Sequence, residues 1–270
     1  MSAMGTMGSM SMMRMPDVVV ADWSAWAPGI DTREAWQAWA AAPAALGADG
    51  VPDARAVPPM IRRRCTPLSR AMLTAAFGCT RRAALSDVRT VFASRYGSIN
   101  ESVPLLRNIA RDERMSPSRF THTVHNAQSG LFSIAAGNRH ASSALSARAE
   151  TFGSGFLEAV THLHREPDRP VLLVVGDVPL VEDFHSLIDD PQAIYAVALV
   201  LALDGEGCRV RFDVRGASTP SVPGVAVGAA EAQRRGWSDA AEFLRWMIIG
   251  EPALALPGNG REWSWERRPT

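Results

Sequence analysis

Between Ala141 and Val160 the chain reads ASSALSARAETFGSGFLEAV, small and hydroxylated at first and then apolar at helical spacing from about Thr151. Many α/β enzymes mount a nucleophile at such a strand-to-helix elbow. Here the turn offers Ala149 and Glu150, where Cys or Ser would be expected. Ser154, in FGSGF, falls inside the predicted helix rather than at its exposed tip, so it does not meet the geometry of a serine hydrolase elbow.

Metal chemistry has little footing. His162 and His164 stand two apart and project from different sides of a helix, and no acidic residue is suitably placed beside His122 and His125. Asp177 ends the apolar run RPVLLVVGD and reads as a cap for the following turn. No G-x-G-x-x-G opens a helix after the first strand and no Walker P-loop occurs, so no cofactor is expected. Cys65, Cys79 and Cys208 lie far apart and form neither a zinc knuckle nor a disulfide framework, which suits a reducing, cytoplasmic setting.

The elements that must carry these residues follow from patterning. At 270 residues and 47% hydrophobic, the chain can bury a sizeable core. Lys plus Arg and Asp plus Glu both number 28, so no overall field draws in nucleic acid or an anionic membrane. Arginines do cluster locally, at Arg62, Arg63 and Arg64, at Arg81 and Arg82, and at Arg234 and Arg235. No apolar run approaches the roughly 20 residues that span a bilayer. Residues 1–16 read as a disordered leader, with six methionines beyond the initiator in the first fifteen positions, and 17–270 as one domain.

Asp17 to Gly29 forms a buried strand, and Asp31-Thr32 caps a helix carrying Trp36 and Trp39. Leu68, Met72 and Ala75 to Phe77 mark the buried stripe of a second helix. A strand within DVRTVFASRYG precedes a helix begun by Ser98, and His125 to Ala136 makes a helix stopped by Gly137. A strand at Ser142 to Ala147, a helix to about Arg165, and the strand ending near Asp177 come next. AIYAVALVLALDG and CRVRFDVRG then read as a hairpin turned at Asp204-Gly205-Glu206-Gly207. A final helix, SDAAEFLRWMIIG, leads into a tail with Trp263 and Trp265 expected to pack back on the body.

Taken together, VHNAQSGLFSIAAGNRHASSALSARAETFGSGFLEAV resembles the middle of a β-ketoacyl synthase. DWSAWAPGI, RRRCTPLSRAML, FASRYGSINESVPLL, MSPSRFTHTVHNA and AEFLRWMIIGEPALALPG resemble the same branch, the short β-ketoacyl synthase-like N-terminal family that accompanies aryl-polyene and xanthomonadin-type pigment clusters. Members of that branch are called chain length factors. The resemblance implies a thiolase-like half-fold, a mixed five-stranded α/β sheet between helices with an antiparallel edge.

Two departures from an active synthase shape the functional expectation. The resemblance puts the nucleophilic cysteine at Glu150, or at Ala149 if the alignment slips by one. The two histidines supplied by the second half of the doubled fold have no counterpart, since no histidine follows His185. It implies a non-catalytic subunit in a heterodimer with an active β-ketoacyl-[acyl carrier protein] synthase, in fatty-acid- or polyketide-type synthesis, with a self-dimer as another possibility.

The strand with Ser142, Ser143, Ala144 and Ser146 would lie at the two-fold interface. His125, Asn126, Gln128, Leu131 and Phe132, with Glu150, Thr151 and Phe152, would line the interface or acyl tunnel. Arg62 to Arg64 would dock the acidic carrier protein. The alternatives are a malonyl carrier-protein decarboxylase using Glu150 and a carrier-binding scaffold without an acyl cavity.

Overall fold

A computed structural model describes residues 15–79, 84–188, 191–216 and 235–269. Most of the leader, Arg81 with Arg82, Arg234, and the Ser/Pro/Gly-rich segment at 217–228 lie outside the described residues.

Eight strands form one sheet: β1 (Val18–Trp26), β2 (Arg89–Ala93), β3 (Ser142–Leu145), β4 (Val171–Asp177), β5 (Tyr195–Ala202), β6 (Cys208–Gly216), β7 (Ala253–Pro257) and β8 (Arg261–Arg267). Their order is β3-β2-β4-β5-β1-β6-β8-β7. β3, β2 and β4 run parallel, and every other neighbouring pair is antiparallel. The α/β sheet between helices is therefore as expected, but it has eight strands rather than five. The Trp tail supplies two of the additional strands, β7 and β8: Trp263 and Trp265 alternate with Glu262, Ser264 and Glu266, so that segment forms β8, with both indoles buried.

Two cores lie on opposite faces of the sheet. Leu172 and Val174 face one way, Val171, Leu173 and Val175 the other, as the two-residue period of a strand requires. The first face is covered by α3 (Pro67–Gly78) and α6 (Ala127–Ala136); the second by α1 (Arg33–Ala41), α7 (Thr151–Arg165) and α8 (Asp239–Ile249). Thr32, Thr66 and Ser238 cap α1, α3 and α8 with side-chain oxygens, and Gly137 ends α6 at φ +64°. Two short helices, α2 (Pro59–Arg62) and α5 (Pro117–Phe120), are also present, and α4 (Ile99–Ala110) links β2 to α5. Among the described residues no helix is long and apolar enough to cross a membrane.

The expected hairpin of β5 and β6 does not form. Both strands run antiparallel to β1 on its opposite sides, so residues 203–207 carry the chain across β1 at its bulge between Val20 and Asp22. Gly205 and Gly207 hold φ of +102° and +150°, and a Cβ at Gly207 would collide with the Val20 carbonyl oxygen. The glycines that read as a tight turn instead allow a close backbone crossing. The bulge also holds Asp22, nearly buried and paired with Arg33 at 2.7 Å.

Candidate functional site

β3 is shorter than its sequence suggested, ending at Leu145, and the chain turns through a short 3-10 segment at Arg148–Glu150 into α7. Arg148, Ala149 and Glu150 together make this turn. Arg148 holds φ +55°, a left-handed conformation that an ordinary side chain occupies at a cost. Thr151 secures it: its hydroxyl donates to the Arg148 carbonyl at 2.7 Å and accepts from the Ala147 N–H at 3.0 Å. The turn thus carries a left-handed residue, Arg148, and offers a guanidinium, a methyl and a carboxylate rather than a thiol.

Glu150 Oε1 accepts from the Asn259 backbone N–H at 2.9 Å and from the Trp263 indole N–H at 3.3 Å, and pairs with Arg261 at 3.3 Å. All three donors belong to β8 or the turn that leads into it. A charge-assisted set of this kind makes Glu150 a brace between the elbow and the β7–β8 hairpin. Local sequence could not reveal it, because the partners lie 109 to 113 residues away.

Beneath Arg148 is a cleft of about 60 Å³, bordered by Arg95, Tyr96, Asp177, Gln192 and Tyr195. Asp177 accepts from the Ser94 hydroxyl at 2.7 Å, the Tyr96 backbone N–H at 3.3 Å, and the Tyr195 hydroxyl at 3.2 Å. Asp177 thereby ties together the C-terminal ends of β2 and β4 and the start of β5. Its position at the carboxyl end of a central strand was the sequence signal for this role.

Burial pushes the thiols of Cys65, Cys79 and Cys208 above the ordinary cysteine range, so none is poised as a thiolate. Cys79, fully buried against β5, is the most strongly affected.

The remaining candidates divide into four groups. Gln128 is buried and donates to Ser98 Oγ at 3.0 Å; Leu131 and Phe132 are also buried, with the Phe132 ring 5.6 Å from those of Phe77 and Phe92. His125 packs against Gly97, and Asn126 precedes α6, which begins at Ala127 rather than His125. None of these five borders the cleft beneath Arg148. Phe152 does, while joining Phe156, Phe243 and Trp265 in an aromatic cluster with centroids 5.2–6.2 Å apart.

β3 forms one edge of the sheet. Ser143 turns toward α7, Ser142 and Ser146 are exposed, and Ser146 donates to the Arg95 carbonyl at 2.7 Å. Ala144 is half-buried. Arg63 and Arg64 border a separate cleft of about 430 Å³ with Arg119, His122 and Glu101. Arg62 ends α2 next to it.

Comparison with curated proteins finds no match. Solved structures do match. The ketosynthase ApeO in complex with its chain length factor ApeC from Xenorhabdus doucetiae is similar at 27% identity and a TM-score of 0.76, over 94% of this chain and all of that one. The ishigamide ketosynthase/chain length factor is similar at 13% identity and 0.73, over 93% and 99%. A type II acyl-carrier protein complex with its ketosynthase, AntDE:AntF, is similar at 13% and 0.66, over 94% and 99%. The last two show the shared fold. The family profile described as β-ketoacyl synthase, N-terminal domain, matches residues 36–266, and the chain belongs to that family.

Proposed function

We propose that this chain is the non-catalytic, chain-length-factor-like subunit of a heterodimer with an active β-ketoacyl-[acyl carrier protein] synthase. The observation that carries this reading is the elbow: its turn offers Arg148, Ala149 and Glu150 rather than a thiol, and the carboxylate is spent on a brace. The similarity to a ketosynthase and chain length factor complex supports it. The partner's cysteine and histidines would carry out the condensation, and this subunit would stabilise the dimer and limit the length of chain accommodated.

The edge position of β3 suits such a partner, because a free strand edge is a template for pairing. Large apolar side chains on α4, α5 and α6 are also exposed: Leu106 at 62%, Ile109 at 57%, Phe120 at 57% and Ile134 at 64%. A monomer has little use for these, whereas an interface would cover them. In the assembly, Gln128, Leu131 and Phe132 would form part of the acyl tunnel wall, and the Arg63–Arg64 cleft would receive the acidic carrier.

The test is co-expression with the ketosynthases of the same genome, followed by mass determination of the complex and a condensation assay on malonyl carrier protein. A one-to-one complex whose product length changes when Gln128 is enlarged supports the reading. A chain that stays alone, beside a synthase that elongates to the same length without it, removes the reading. Malonyl decarboxylation by the isolated chain, lost in Glu150→Ala, would instead favour an enzymatic role.

A further inference from the structure

A carboxylate from α7 stands beside the edge strand. Ser143, in β3, donates its hydroxyl hydrogen to Glu158 Oε1 on α7 at 2.7 Å and lies 3.1 Å from His162 Nε2. His162 Nδ1 faces Arg89 Nη1 at 3.2 Å. A guanidinium nitrogen can only donate, so Nδ1 is the acceptor and the ring proton sits on Nε2, directed at Ser143 and Glu158. Arg89 is in turn paired with Glu166. Among the described residues, Glu158, whose side chain is 38% exposed, has the Ser143 hydroxyl at 2.7 Å and the His162 imidazole at 3.3 Å as its neighbours and no arginine of its own.

We infer that Glu158 selects the partner of β3: it disfavours a second copy of this chain and favours a ketosynthase strand flanked by a basic or neutral side chain. This rests on the heterodimer reading above. Antiparallel pairing of β3 with its own copy would be isologous, with the two-fold axis passing between like residues near the middle of the strand. β3 has four residues and Ser143 is the second, so the two Ser143 residues would come within about 5–8 Å on the same face of the joined sheet. Each brings its Glu158. Two like charges would then share a seam from which water is excluded, whereas a different partner need bring only one.

Sedimentation equilibrium of the full chain tests the inference. Glu158→Gln is expected to self-associate on the order of tenfold more tightly than the wild type. Adding Ser142→Lys, a charge on the strand edge, should return that variant to wild-type behaviour if the gain runs through β3. Unchanged association in Glu158→Gln, or a wild-type chain that is already a tight β3 dimer, overturns the proposal. Co-expression with the ketosynthases of the same genome separates the two readings. A wild-type chain that pairs with a synthase, while Glu158→Gln leaves self-association unaltered, removes only the role of Glu158; a chain that pairs with none removes the heterodimer, and the selection with it.

Discussion

Arg148 bears a backbone conformation that glycine would adopt without penalty. Left-handed φ costs a non-glycine residue about 1–2 kcal/mol, and glycine gives back roughly 0.5–1 kcal/mol through its freer unfolded chain. Arg148→Gly should therefore be about 0.5–1 kcal/mol more stable, read from the urea midpoint. Glu150 is the opposite case. Glu150→Ala strips the acceptor from the Asn259 N–H and the Trp263 indole and leaves Arg261 unpaired, which should lower stability by about 1–3 kcal/mol. The change should also be visible in the emission of the tryptophans, since Trp263 loses its hydrogen bond. Sequence alone could mark the elbow as missing its nucleophile. It could not show which residue takes the positive φ, because nothing local to Arg148 demands it, nor that Glu150 reaches a hairpin more than a hundred positions away.

At the scale of elements, local signals were sufficient wherever a single residue sets a boundary. Thr32 and Gly137 begin and end α1 and α6 as their chemistry dictates. Where tertiary pairing decides, they misled: Asp204 to Gly207 has a good hairpin composition, yet β1 lies between the strands it joins and pairs with both. β8 was legible in principle, through the alternation of Trp263 and Trp265 with polar residues, but its adjacent prolines and glycines made it read as tail. This strand is central to the packing of α7. Trp265 lies 5.5 Å from Phe152 and 5.6 Å from Phe156, and a Cβ at Gly153 would collide with the Trp263 ring. Trp265→Ala should cost about 3–5 kcal/mol in chemical denaturation.

For the whole molecule, balanced charge means that any attraction to an acidic carrier must come from local clusters. Reversing Arg63 and Arg64 to glutamate should weaken carrier binding roughly tenfold at low salt, with the difference shrinking as ionic strength rises. Pairing with the ketosynthase through β3 should persist, because no residue of that strand borders the cleft. Calorimetric titration across a salt series would measure the first effect and co-purification the second. The route of the backbone across β1 has a consequence for synthesis. Val19 pairs with Ala202 and Val20 with Cys208, so the first strand has neither neighbour when it leaves the ribosome. At roughly 5–20 residues per second, it waits on the order of 10–40 s for them. Through that interval an almost uncharged β-forming segment is available to any other strand in the cell, and chaperone supply during translation should govern the yield of folded protein more strongly than the stability of the finished chain.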